Sequence, residues 1–194
     1  MGNFKAIMCS GKSMNKLDRY LKVGKPIMMG PTMDYHKTLW TLALANNSLK
    51  EKQSVRYISL YQTKEEALSI WDEYNWGFGC NVIDENYFID NISTIDEIID
   101  IANKDKPVVL IIDYLDNKFY KNVSDLEDIL IKLREVSENN NTAVVVISAA
   151  LKPTDEEMTD ENIKEKYRHV IDNNFEHVLT VRDSNMVEII ETGL

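Results

Sequence analysis

Five short apolar runs, each about the length of one strand and separated by stretches of helical spacing, limit what this chain can fold into more than any other feature. They are Pro26–Gly30, Val55–Leu60, Val108–Ile112, Ala143–Ser148 and His177–Val181. Several are apolar at successive positions, as in strands buried on both faces of a parallel sheet. Between them, Thr38–Asn47 is apolar on nearly every side, as suits a helix packed against a sheet. Thr63-Lys64-Glu65-Glu66 reads as a capping box, with Ala67, Leu68, Trp71 and Tyr74 following at helical spacing. Ser93–Ala102 places Ile95, Ile98, Ile99 and Ala102 on one face. Ser124-Asp125-Leu126-Glu127 reads as a second capping box, opening a stripe of Leu126, Ile129, Leu130, Leu133 and Val136. Thr154–Glu157 opens a further polar helical stretch. Strands alternating with helices predict an α/β fold with a mostly parallel central sheet and helices on both faces. Ligands of such sheets bind beyond the carboxyl ends of the strands, so chemistry is sought there.

Nothing divides the chain. Its 194 residues contain no repeat, low-complexity tract or linker, which predicts one domain over 1–194. A 44% hydrophobic fraction suits a packed core rather than disorder. No run of 18 apolar residues is present, and Met1-Gly2-Asn3-Phe4-Lys5 lacks a signal-peptide pattern, so a cytoplasmic location away from membranes is expected. Cys9 and Cys80 fit no metal or redox spacing and read as reduced thiols. Trp40, Trp71 and Trp76 read as packing residues, as does the aromatic turn Trp76–Cys80. The net charge of -10 disfavours independent DNA binding, which draws its affinity from Lys and Arg on phosphates.

The first of the apolar runs leads into Gly30-Pro31-Thr32-Met33-Asp34-Tyr35-His36-Lys37-Thr38, read as a loop opening into a helix at Thr38. A phosphate loop reads G-x-x-x-x-G-K-[ST]: backbone amides cradle phosphate, the Lys reaches the terminal phosphates and the hydroxyl helps hold Mg²⁺. Gly30, Lys37 and Thr38 fit, but His36 stands at the second glycine and one residue is inserted. A side chain there costs about 1–2 kcal/mol if the backbone must be left-handed. Ser10-Gly11-Lys12-Ser13 is a decoy, with Ala6 where the first glycine belongs. Val108–Ile112 ends in Asp113, and a carboxylate at the tip of a buried strand is the usual second anchor for Mg²⁺. The candidate nucleotide-binding residues are thus Gly30, His36, Lys37, Thr38 and Asp113, with Thr38 and Asp113 as metal anchors.

In this order the residues resemble the ATPase domain of DnaB-type replicative helicases, within the RecA-like class. Leu17-Asp18, Leu21 and Gly24 resemble the LD…L…G segment ahead of the family's loop. Pro31-Thr32-Met33 with Lys37-Thr38 resembles its P-[SG]-M-G-K-T loop. Tyr57-Ile58-Ser59-Leu60 followed by Glu65-Glu66 resembles its YFSLEMS segment. Ile112–Leu115 matches IDYL, Ile147–Leu151 resembles LSQL, and Val178–Asp183 resembles the late VLFLYRD strand. The resemblance implies a three-layer RecA-like fold of the P-loop NTPase type, with Mg-ATP as the ligand.

The departures from the family pattern fall on chemistry. Tyr61 stands where the family has its catalytic Glu, and Ala149 where it has the phosphate-sensing Gln. Arg182 is the one weak counterpart of the basic segment that reaches a neighbouring subunit. An unperturbed phenol ionises near pH 10, so Tyr61 is no general base at neutral pH. The acidic stretch Asp155–Glu161 falls where relatives carry loops facing DNA. No catalytic residue is assigned. The expected protein is a pseudo-ATPase that binds Mg-ATP weakly or not at all. It would act through a protein partner such as a replicative helicase or another replication component, with its oligomeric state left open. Two alternatives stand beside it. One is a working helicase-like ATPase in which another carboxylate, Glu65 or Glu66, replaces the missing base. The other is a regulatory or small-molecule-binding protein that keeps only the scaffold.

Overall fold

The computed structural model describes residues 3–5, 23–24, 26–29, 34–50, 52–74, 87–116, 118–148, 161–175, 177–183 and 186–191. In chain order the strands are β1 (Asn3–Lys5), β2 (Ile27–Met29), β3 (Val55–Ser59), β4 (Phe88–Ile89), β5 (Val109–Asp113), β6 (Ala143–Ile147), β7 (His177–Asp183) and β8 (Met186–Glu191). The helices are α1 (Asp34–Lys50), α2 (Lys64–Tyr74), α3 (Ile95–Asp105), α4 (Val123–Asn140) and α5 (Glu161–Asn174).

All eight strands form one sheet, ordered β1-β8-β7-β2-β6-β5-β3-β4. The six from β7 to β4 pair in parallel. At the opposite edge β8 runs antiparallel to both β7 and β1. The expected mostly parallel α/β sheet is therefore present. Its interior strands are the expected apolar runs, with β5 and β6 buried at every position.

The period-two pleat splits those strands between two helix layers. Met28, Ile58, Leu110, Ile112, Val144 and Val146 share one core with the buried faces of α3, α4 and α5. From α4 that core takes Leu126, Ile129, Leu130, Leu133 and Val136, the whole expected stripe. The alternate residues, Tyr57, Ile111 and Asp113 among them, lie on the other face, where α1 packs across β3 and β5.

Caps explain where the helices begin. Thr63 and Glu66 form the expected reciprocal box, Glu66 N–H to Thr63 Oγ1 at 3.3 Å and Thr63 N–H to Glu66 Oε2 at 2.8 Å. A second box sits at Thr94 and Glu97, ahead of α3. The box expected at Ser124–Glu127 is not formed. Asn122 caps α4 instead, its Oδ1 accepting from the Ser124 and Asp125 amides at 2.9 and 3.0 Å. Ser124 is therefore inside the helix, because Asn caps at least as well as Ser and comes two residues earlier. Gly24 has φ +117°, open to glycine alone at low cost, and its N–H donates to Ser137 Oγ at 2.8 Å. Ser10–Ser13, the turn at Trp76–Cys80, the stretch at 154–157, Cys9 and Ala149 lie outside the described residues.

Candidate functional site

Three parallel strands bring the expected anchors to one end of the sheet. Met29 of β2 is paired with Ile147 of β6, and Ile147 with Asp113 of β5. The loop after β2 and the tip of β5 are thus two strands apart, at the carboxyl edge where α/β sheets bind ligands. Gly30 lies outside the described residues. Helix α1 begins at Asp34 rather than at Thr38, a correction to the reading of 34–37 as loop. His36 and Lys37 accordingly belong to the first turn of α1. The amides of a first helical turn lack intrahelical acceptors and favour an anion.

Thr38 and Asp113 meet. The Thr38 hydroxyl donates to Asp113 Oδ2 at 3.0 Å, and the two residues are only 4% and 2% exposed. Tyr57, in the sequence only one letter of an apolar run, completes the cluster. It is fully buried, and its hydroxyl donates to the same Asp113 Oδ2 at 2.5 Å. The pairing register shows why. Tyr57 sits opposite Ile111 and Ser59 opposite Asp113, so Tyr57 and Asp113 are diagonal neighbours on one face. Thr41, one turn along α1, lies 3.0 Å from the Tyr57 hydroxyl and donates to the Thr38 carbonyl at 3.0 Å. Burial, chiefly, and then the Asp113 charge and hydrogen bond raise the Tyr57 phenol well above its ordinary range, with Thr41 acting against them. Tyr57 is therefore a neutral donor. The one available signal was chemical: a tyrosine in a strand buried on both faces needs a partner for its hydroxyl.

The tip of β3 is held as firmly. Ser59 Oγ donates to the Gln62 carbonyl at 2.7 Å and accepts from the Gln62 amide at 3.1 Å. The Leu60 amide donates to the Asp113 carbonyl at 2.8 Å. This turn presents Tyr61, 67% exposed, with its ring 5.1 Å from that of Tyr114. Tyr114 has φ +80°, uncommon for an aromatic residue and a sign of local strain beside Asp113. A polar groove of about 400 Å³ opens next to them, lined in part by Ser59, Tyr61, Gln62, Asp90 and Lys118. Glu66 is engaged in the α2 cap through its Oε2, which removes the support for it as a substitute base. Arg182 lies in β7, away from the described cluster in the sheet order. Among the described residues no group of three His, Cys, Asp or Glu side chains could hold a metal. Thr38 and Asp113 are instead a pair of hard oxygen donors, the chemistry that Mg²⁺ takes alongside water and phosphate.

No family model matches the chain, and no curated protein does. Solved structures do. An ATPase domain solved on its own superposes with TM-score 0.62 at 15% identity, over 92% of this chain and 81% of that one. The flagellar accessory protein FlaH from Methanocaldococcus jannaschii gives TM-score 0.58 at 11% identity, over 91% and 84%. The fold is RecA-like. A DnaB-like replicative helicase, solved in a study of its interactions with primase, matches at TM-score 0.61 and 14% identity. This RecA-like chain is covered over 92% there but spans only 55% of that helicase. The expected resemblance to DnaB-type RecA-like domains holds at the level of the fold. Among the described residues, no helix of this RecA-like domain is long and apolar enough to cross a membrane.

Proposed function

We propose that this RecA-like domain is a pseudo-ATPase. It binds Mg-nucleotide weakly, does not turn it over, and works through protein contacts with a replicative helicase or another replication component. One observation carries the reading: the Thr38–Asp113 contact is kept, while the residue at the β3 tip, where the resembling family places its base, is the exposed Tyr61. The solved ATPase domain and the DnaB-like helicase, both similar in fold, support the nucleotide and replication parts of the proposal.

In this reading the first turn of α1, with Lys37, receives the phosphates, and Thr38 with Asp113 holds the cation. Bound Mg²⁺ supplies charge neutralisation and orientation of the phosphates. The chain then does what its groups permit. Helix α1 positions the nucleotide, and Tyr57 and Thr41 fix Asp113 against the sheet. No described group beside Asp113 takes a proton from water, since Tyr61 is a phenol and Glu66 serves a helix cap. A positioned base contributes about 10²–10⁴-fold and a trans arginine about 10³–10⁵-fold in NTPases, so their loss leaves binding with little hydrolysis.

Calorimetry of Mg-ATP on the wild type and Lys37→Ala tests the binding half, and a phosphate-release assay tests the other. Weak binding, lost in Lys37→Ala, with no turnover above buffer is expected. Robust turnover abolished by Lys37→Ala would sink the pseudo-ATPase reading in favour of a working enzyme. No binding by any method would leave a scaffold acting through its surface alone.

A further inference from the structure

A carboxylate closed off from water must have its charge answered by something. Asp113 is 2% exposed, and two hydroxyls donate to the same oxygen, Oδ2. The Thr38 donor comes from α1, at 3.0 Å, and belongs to the loop-and-helix motif. The Tyr57 donor comes from β3, at 2.5 Å, the range of a charge-assisted O–H···O⁻ bond. A phenol is a stronger donor than an aliphatic alcohol. Its position leaves no freedom to withdraw: the ring is fully buried and stacked on Phe88, with centroids 5.2 Å apart and planes 13° from parallel. Thr41 steadies the hydroxyl from the helix side at 3.0 Å. This cluster ties α1 to β3 and β5 through one carboxylate oxygen.

Hydroxyl donors and a divalent cation draw on the same charge. Each donor that an oxygen accepts from lowers the gain from placing a cation near it. We propose that Tyr57 sets the cation dependence of this site: its hydroxyl stands in for a divalent cation as the charge partner of Asp113, holding α1 on the sheet without nucleotide and weakening the cation's contribution when nucleotide binds. Tyr57 is thus a positioning residue, acting on ligand only through Asp113. The inference rests on the Mg-nucleotide reading above and deepens it, giving a physical cause for weak binding.

The test measures ADP affinity of the full chain by calorimetry, once with excess Mg²⁺ and once with EDTA, and takes the ratio of the two dissociation constants. Three variants are compared with the wild type. Tyr57→Phe removes the donor and keeps the ring. Phe88→Leu disturbs the same packing and keeps the donor. Site-specific 3-fluorotyrosine at position 57 strengthens the donor with hardly any change of shape. The Mg²⁺ enhancement is expected to rise about tenfold in Tyr57→Phe, the scale of one hydrogen bond to a charged group. It is expected to fall with the fluorinated ring and to stay at the wild-type value in Phe88→Leu, even where that variant melts earlier. An enhancement that is unchanged or smaller in Tyr57→Phe, or that follows melting temperature across the set, overturns the role of Tyr57 and leaves nucleotide binding standing. Should Tyr57→Phe fail to fold, the fluorinated protein decides alone: an unchanged or larger enhancement there overturns the proposal. Absence of ADP binding to wild type and variants in both conditions overturns the nucleotide reading itself, and this inference with it.

Discussion

Asp113 draws its surroundings from three separate stretches of sequence, and its energetics follow from that convergence. Removing the carboxylate leaves the Thr38 and Tyr57 hydroxyls without the acceptor they share. An orphaned buried hydroxyl costs about 1–3 kcal/mol, whereas replacing both partners of a buried pair by apolar groups is nearly neutral. Asp113→Ala should therefore destabilise the domain by about 2 kcal/mol, offset in part by the removal of a desolvated charge. The Asp113→Ala, Tyr57→Phe double variant should lose clearly less than the sum of the two single losses, since the two side chains are in contact. Urea denaturation of the four proteins checks this. Additive losses would mean that the short contact carries no coupling energy. Tyr61 stands at the other extreme. It is exposed on a turn fixed by Ser59 and Gln62, so its ring contributes to surface chemistry more than to folding.

Elements are set by their ends as much as by their faces, and α3 shows this most directly. Thr94 accepts from the Glu97 amide at 3.2 Å, while Glu97 Oε2 accepts from the Ser93 and Thr94 amides at 2.7 and 3.0 Å. Thr94→Ala should cost about 1 kcal/mol, typical of a lost N-cap. Those amides, Ser93 first, lower the Glu97 pKa from its ordinary 4.5. A carboxylate depressed by folding contributes stability above pH 4.5 that disappears as the pH falls through its lower folded value. The wild type should thus be more stable than Glu97→Gln at pH 7, with the gap closing as the solution is acidified below 4.5. A gap of constant size from pH 7 to 3 would remove Glu97 from the cap. Element by element, the sequence is legible where it is repetitive. The interior strands declare themselves as apolar runs, and α4 as a stripe from Leu126 to Val136. The edges do not. Phe88–Ile89 is too short to form a pattern, and β1 and β8 sit on an antiparallel margin that no local signal announces. The cap of α4 differs from the expected one because Ser124 and Asn122 are both good caps and only the fold chooses between them. For the site, Thr38 and Asp113 are legible as motif letters. Tyr57 is not, because its role depends on a register that sets it opposite Ile111, more than fifty residues away.

The whole molecule is acidic, and its charge bears on every ligand proposed for it. A net charge of -10 repels polyanions and steers basic protein surfaces, which fits a protein partner better than DNA. It also repels a free nucleotide, so affinity has to come from local groups: the first turn of α1, Lys37 and a cation held by Thr38 and Asp113. Binding that favours the folded state raises its stability by RT ln(1 + [L]/Kd), about 2.7 kcal/mol with ligand at 100 times Kd. For a chain of this length each kcal/mol moves the melting point by about 2–4 °C, so saturating Mg-ADP should raise it by roughly 5–10 °C. Lys37→Ala should melt near the wild-type temperature without ligand and lose most of the shift with it. Distant surface charges are screened within a Debye length of about 10 Å at 0.1 M salt. Raising salt from 0.05 to 0.2 M (roughly a halving of that length) should therefore enlarge the shift if repulsion by the net charge opposes binding, and shrink it if the Lys37–phosphate attraction dominates. Enlargement is expected, because ten excess negative charges act on the approaching anion at long range while the Lys37 contact is short. A shift that shrinks with salt would place the affinity in surface attraction and count against a site formed by the buried Thr38–Asp113 pair.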